Sequence, residues 1–193
     1  MAEEKTNLSG AAWFTANQAK YPNSALVADL EETFKVNCEG FIKALKDAGA
    51  TVSIASTLRN ADRAYLMHYS WRVAKGEVKP EDVPDRAGVD IEWDHGELAK
   101  SKKGAQEMVG KFGLAHVASL TSLHISGKAI DMNITWTGTL KIKDKSGTEQ
   151  EVAWNSDVDL NTKLHEVGKS YGVIKLVKVT GKPDRPHWSI NGH

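Results

Sequence analysis

The sequence predicts an α+β fold in which helices flank an antiparallel β-sheet core. Helical periodicity dominates the first half of the chain, and alternating, β-branched segments dominate the second half. The later strands are joined by short, hairpin-type connections, which disfavours a doubly wound parallel sheet. At 193 residues, we expect one catalytic domain over 1–193, with fraying at 1–10 and 189–193.

Four segments combine a helical apolar pattern with a polar cap before them or a glycine after them. They are 24–48, followed by Gly49; 61–74, capped by Asn60; 97–112, followed by Gly113; and a helix from a cap at Asp159 or Asn161 through Tyr171. Strand-like segments have β-branched or alternating residues. They are 51–57, 122–125, 129–136, a hairpin of 140–143 with 151–154, and 173–179.

Composition excludes several function classes. The chain has 25 basic and 25 acidic residues, which argues against a non-specific nucleic-acid binder. Its one cysteine, Cys38, precludes an intramolecular disulfide and is expected in the core. The N-terminus lacks the pattern of a signal peptide, and no apolar run approaches the roughly 20 residues that span a membrane. We therefore expect no membrane insertion.

The first polar cluster that carries chemistry is Ser122–Asp131. His124 and Asp131 are seven residues apart, so on one continuous strand they would lie on opposite faces. They converge only if the chain turns between them, and Gly127 permits such a turn. We expect His124 to end one strand and Asp131 to lie on the next.

The second cluster is Asp184–Trp188, in which Asp184 precedes His187 by three residues around Pro186. Proline fixes its own φ and restricts the residue before it. This geometry predicts His187 as a metal ligand, with Asp184 beside it as general base. An isolated histidine is more often structural, and His116 and His165, which have no partner at ligand spacing, are interpreted in that way.

Together the clusters predict a hydrolytic zinc centre with one ion. The expected ligands are His124, Asp131 and His187, and Asp184 moves the proton. Mn²⁺ or Co²⁺ could occupy a similar site. The loop 90–97 is also rich in ligand types, but we interpret Asp94 as a helix cap there and leave a substrate contact open. Trp188 and Trp136 flank the site, where they either line a substrate cleft or pack in the core.

Residues 122–131 match the pattern Ser-x-His-x-x-Gly-x-Ala-x-Asp at every fixed position. This pattern resembles the first signature of the zinc D-alanyl-D-alanine carboxypeptidases, dipeptidases and L-alanyl-D-glutamate peptidases. Asp184 to Trp188 resembles their second signature, in the form seen in bacteriophage endolysins. Dipeptidase-type members usually have Glu where this chain has Asp184, which favours the endopeptidase branch. The resemblance spans about 53–189.

The resemblance implies a Hedgehog/D-Ala-D-Ala-peptidase-like fold and further site residues. Ser56 to Arg59 is similar to a family segment whose arginine stabilises the oxyanion or binds a substrate carboxylate. Arg59 is then a catalytic residue, with Arg63 as the alternative. By the same likeness, Ser122 binds substrate or supports the site as a strand residue.

The resemblance implies zinc-dependent hydrolysis of an amide bond in bacterial peptidoglycan stem peptides by a single-domain, endolysin-like lytic enzyme. We expect this enzyme to be a monomer. It would be made in the host cytoplasm and act at the cell wall. The alternatives are a D-Ala-D-Ala carboxypeptidase or dipeptidase, and a non-catalytic, metal-stabilised cell-wall-binding module.

Overall fold

The computed structural model describes residues 7–155, 160–177 and 186–193. Within these ranges the chain forms five α-helices and six strands. The helices are α1 (Ala11–Asn17), α2 (Glu32–Asp47), α3 (Ala61–Lys75), α4 (Leu98–Phe112) and α5 (Thr162–Ser170). The strands are β1 (Thr51–Ser56), β2 (Ala129–Thr135), β3 (Thr139–Lys143), β4 (Glu149–Ala153), β5 (Ile174–Lys175) and β6 (His187–Ser189).

The chain divides into two compact units. The helical unit comprises the described residues up to Pro22 together with Asn60–Ser122. It contains α1, α3 and α4, whose apolar faces form their own core. The buried members of that core are Trp13, Phe14, Tyr21, Tyr65, Leu66, Val73, Trp93, Ala105 and Met108.

The sheet unit comprises Asn23–Arg59 and the described part of Leu123–His193. Its four-stranded sheet has the order β1-β2-β6-β5, and every neighbouring pair is antiparallel. Strands β3 and β4 form a separate antiparallel hairpin. Helices and antiparallel sheets share one apolar core here, which confirms the predicted α+β class.

Side chains along the central strands β2 and β6 point alternately to the apolar core and to the opposite, polar face of the sheet. On β2, Ile130 and Met132 are buried in the core, and Asp131 between them points to the opposite face. On β6, Trp188 is in the core, so His187 and Ser189 share the other face. This two-residue alternation places the polar side chains of the neighbouring strands β2 and β6 on the same face of the sheet.

The predicted caps are confirmed for two helices. The Asn60 side chain accepts hydrogen bonds from two amides of the first turn of α3, and the Asn161 side chain accepts one from Leu164 in α5. The predicted start of the first helix at Ser24 is wrong. Helix α2 begins at Glu32 because the Glu31 side chain caps it by accepting from the Phe34 amide.

Three further sequence predictions are wrong. Residues 122–125 do not form a strand, since Leu123–Ser126 is a turn of 3₁₀-helix. Residues 189–193 do not fray, because hydrogen bonds to the Ser189 side chain hold them. Asp94 does not cap α4, as its carboxylate accepts the Gly96 amide instead.

Helix α1 and strand β6 were not predicted from the sequence because both are too short to show a period. Of the predicted strand 173–179, Ile174–Lys175 is observed as β5. The described neighbours Val173, Leu176 and Val177 are not in a strand, and residues 178–179 lie outside the described ranges. No helix in the described part of the chain combines the length and apolar character needed to cross a membrane.

Candidate metal centre

His124 is held at the polar face by the segment that follows β1. Its side chain is 2% exposed, and its Nδ1–H donates to the carbonyl oxygen of Thr57 at 2.8 Å. The His124 carbonyl in turn accepts the Arg59 amide at 3.0 Å. Both the ring and the backbone of His124 are therefore fixed, and its Nε2 is directed toward β2.

Asp131 and His187 are direct cross-strand neighbours. Strand β2 pairs with β6 so that Asp131 lies opposite His187. Side chains paired in this way point to the same face of the sheet. The distance from Asp131 Oδ1 to His187 Nδ1 is 3.1 Å.

The turn that brings His124 to these residues depends on Gly127. Its φ is +67°, a value that glycine adopts without a steric penalty. Its carbonyl accepts the Glu31 amide at 3.0 Å, and a Cβ at this position would lie 2.8 Å from the Glu31 nitrogen. The predicted turn between His124 and Asp131 is thus confirmed, although His124 lies on a 3₁₀ turn and not on a strand.

Three ligand-type atoms meet at one point of the polar face. His124 Nε2 lies 3.2 Å from Asp131 Oδ1 and 3.2 Å from His187 Nδ1, and the third separation is 3.1 Å. The other nitrogen of each ring faces a main-chain oxygen: Thr57 for His124, and His193 for His187 at 3.1 Å. Carbonyl oxygens only accept, so those nitrogens carry the protons.

The tautomers that follow leave three acceptors facing one another. In neutral rings, His124 Nε2 and His187 Nδ1 present lone pairs, as does the Asp131 carboxylate. Such a group requires a positive charge at its centre, which either a metal ion or an extra ring proton supplies. The arrangement of a ring held by a carbonyl on its far side is typical of histidine metal ligands.

Asp131 is ionised in this environment. Burial by itself would raise the pKa of the carboxyl group. When the ring nitrogens that face Asp131 carry a proton in place of a metal ion, hydrogen bonds from His124 and His187 and the positive charge of the rings lower that pKa well below its usual range. An ionised carboxylate is the form that binds a metal.

The separations and the donor types fit zinc. Two ligands of a tetrahedral zinc ion, each bound at about 2.0–2.1 Å, lie about 3.3 Å apart, close to the three observed distances. Two imidazole nitrogens and one carboxylate oxygen form a donor set that zinc accepts. Among the described residues, His124, Asp131 and His187 are the group that gathers at metal-binding distances.

Arg59 lies in the same unit as the three ligands. Its amide binds the His124 carbonyl, and its Nε donates to Asn23 Oδ1 at 3.4 Å. The same Asn23 oxygen accepts the Ser56 hydroxyl at 3.1 Å. Asp184, the predicted general base, lies outside the described residues.

The remaining predicted site residues are Trp188, Ser122 and Arg63. Trp188 is fully buried in the core of the sheet unit, with its ring centroid 5.4 Å from that of Phe41. Of the two interpretations of Trp188, core packing is the one observed, because the alternation of β6 turns its ring away from the face that carries His187. Ser122 and Arg63 belong to the helical unit, where Arg63 donates to the Tyr21 carbonyl at 3.0 Å.

The acidic loop 90–97 also belongs to the helical unit. Asp90 accepts from the Asn7 side chain, and its carbonyl accepts the Trp13 indole at 2.7 Å. Glu92 accepts the Asp94 amide at 2.9 Å. These acids therefore stabilise the loop itself, in agreement with the structural interpretation of their sequence pattern.

Sequence reasoning did not identify the groups that orient the two histidine rings. The carbonyls of Thr57 and His193 belong to the main chain, so residue identity carries no signal for them. Ser189, which holds the last turn of the described chain, could have been noticed only through its place two residues after His187 on the same strand face.

Comparison with known proteins leaves the family open. The chain matches no family model, and no curated protein matches it significantly. The features described above are therefore the basis for the functional assignment.

Proposed function

We propose that this protein is a zinc-dependent peptidase that hydrolyses an amide bond in peptidoglycan stem peptides. The observation that carries the proposal is the convergence of three ligand-type atoms, from His124, Asp131 and His187, at 3.1–3.2 Å from one another. The substrate class rests on the sequence signatures at 122–131 and 184–188. These signatures favour an endolysin-like L-alanyl-D-glutamate endopeptidase with a Hedgehog/D-Ala-D-Ala-peptidase-like fold.

The number of ligands supports catalysis over a purely structural ion. Structural zinc sites are closed by four protein ligands, whereas catalytic sites have three and keep a position for water or substrate. When bound, zinc supplies Lewis acidity that lowers the pKa of a water molecule and polarises a carbonyl group. In the described part of the chain, three side chains gather at metal-binding distances, which agrees with the catalytic number.

The remaining roles fall to two side chains of this protein. Asp184 would take the proton from the attacking water and pass it to the leaving amine. The Arg59 guanidinium would stabilise the negative charge that develops on the carbonyl oxygen. The hydrogen bond from the Arg59 amide to the His124 carbonyl links the position of Arg59 to that of His124. We also propose that the enzyme acts at the bacterial cell wall.

Two measurements on the purified protein test this proposal. Metal analysis should find about one zinc ion per chain, and a chelator should abolish the loss of turbidity of cell-wall suspensions. Mass spectrometry of the digested wall identifies the bond. New L-alanine carboxyl groups paired with new D-glutamate amino groups support the endopeptidase, whereas loss of terminal D-alanine alone indicates a carboxypeptidase or dipeptidase.

An Asp184→Asn variant separates catalysis from metal binding. We expect it to retain zinc and to lose wall lysis, because the amide removes the base without removing a ligand. Full lysis by this variant would overturn the mechanism. Zinc binding without any lysis by the wild-type protein would instead favour a metal-stabilised binding module.

A further inference from the structure

The last five described residues form a closed turn around a buried hydroxyl group. Ser189 is 0% exposed, and its Oγ accepts the amides of Gly192 at 2.9 Å and His193 at 3.0 Å. Gly192 has a φ of +77°, which closes the turn in a conformation that favours glycine. The main chain of His193 is thus fixed relative to β6.

This turn ends on the ring of a proposed metal ligand. The His193 carbonyl accepts the Nε2–H of His187 at 3.1 Å, on the side of the ring opposite the ligand atom Nδ1. Asn191 Oδ1 also accepts the His193 amide, at 3.1 Å. Because Ser189 and His187 share one face of β6, the Ser189 hydroxyl that closes the turn lies on the same side of the sheet as the His187 ring.

We propose that Ser189 is a positioning residue, which fixes the His193 carbonyl and thereby sets the tautomer and orientation of His187 for metal binding. The inference rests on the metal centre proposed above and assigns a role to the turn Ser189–His193. Hydrogen-bond partners on the far side of a histidine ligand typically change metal affinity by about 10–100-fold when they are lost. Ser189 touches no ligand atom, so its effect on affinity would pass through the His193 carbonyl.

Zinc affinity, measured by competition with a chromophoric chelator, tests the inference. We expect Ser189→Ala to bind zinc about 10–100-fold more weakly. Gly192→Ala should act in the same direction while keeping the hydroxyl, because alanine is strained at this φ and its Cβ would lie 3.0 Å from Ile174 Cγ2. If both act through one turn, the double variant should lose less than the product of the single losses.

Ser170→Ala is the matched control. The Ser170 hydroxyl also accepts one amide, from Lys145 at 3.1 Å, and donates to the Val167 carbonyl at 2.6 Å. Its loss should therefore lower stability without changing zinc affinity. The absorption spectrum of the Co²⁺-substituted protein gives a second readout, because it reports ligand geometry. It should change in Ser189→Ala and remain unchanged in Ser170→Ala.

The outcomes separate this inference from the proposed function. If the wild-type protein binds no zinc, the metal centre and the function built on it fail together. If the wild type binds zinc and both turn variants bind it equally tightly, the positioning role is overturned and the metal centre stands. Should Ser189→Ala fail to fold, the affinity of Gly192→Ala decides.

Discussion

Removing one ligand should abolish the stabilisation of the protein by zinc. Because the ion would bind the folded site and not the unfolded chain, its contribution is RT ln(1 + [Zn²⁺]/Kd). At a free zinc concentration of 100 times the wild-type Kd, this is about 2.7 kcal/mol. For a chain of this size, we expect an increase in Tm of about 5–11 °C.

The general cost of losing a group that supports a metal ligand sets a lower limit for the effect of His124→Ala. Loss of a supporting group alone weakens metal binding by about 10–100-fold, so loss of one of three ligands should weaken it by at least about 100-fold. At the same zinc concentration, the remaining contribution is then about 0.4 kcal/mol. The zinc-induced shift in Tm should fall to about 1–2 °C or less.

Thermal unfolding with and without zinc, followed by circular dichroism, measures this shift. Each variant is compared with itself, so the cavity left by a truncated buried side chain cancels. His116→Ala is the control, since His116 is exposed and belongs to the helical unit. A full zinc-induced shift in His124→Ala, or its loss in His116→Ala, would refute the assignment of ligands.

Three further outcomes are expected. Gly168→Ala should destabilise the protein by about 1–3 kcal/mol in chemical denaturation, because its Cβ would lie 2.7 Å from Trp188 Cζ3. Gly110→Ala is the control: a Cβ there would have nothing within 4 Å, so this variant should be more stable than the wild type by up to about 1 kcal/mol. Equal changes in unfolding free energy for the two variants would contradict this packing. Burial raises the pKa of the Cys38 thiol to about 12, so folding is favoured below the ordinary thiol pKa, and this contribution is lost as pH rises from about 9 toward 12. The difference in unfolding free energy between wild type and Cys38→Ala should therefore decrease over that range, and a constant difference would speak against it. Arg59→Gln should lower kcat on wall substrate by about 10²–10³-fold with zinc content unchanged, whereas full activity would remove Arg59 from the mechanism.

The sequence was sufficient for the α+β class and for most helices because these depend on local patterns. Residue type predicts a cap at Asn60 and another at Asp159 or Asn161, since a short polar side chain satisfies the free amides of a first helical turn. The structure shows Asn60 and Asn161 in these roles. The start of α2 was misplaced because apolar residues continue before it in the chain. In the structure, Val27–Asp29 instead forms a separate 3₁₀ turn.

The three residues of the candidate metal centre could also be named from the sequence, but their surroundings could not. Spacing and the turn at Gly127 identified His124 and Asp131 as residues able to converge, and the observed φ of +67° agrees with that turn. Trp188 shows the limit of this reasoning. It adjoins His187 in sequence, yet the pleat of β6 sends the two side chains to opposite faces.

By itself, the sequence determined which residue types could bind a metal and where the chain could turn between them. Only the tertiary structure decided that β2 and β6 pair with Asp131 opposite His187, because strand register depends on contacts between segments distant in sequence. It alone also showed that main-chain oxygens of Thr57 and His193 hold the two rings. A backbone carbonyl is present at every residue, so its role is set by where folding places it.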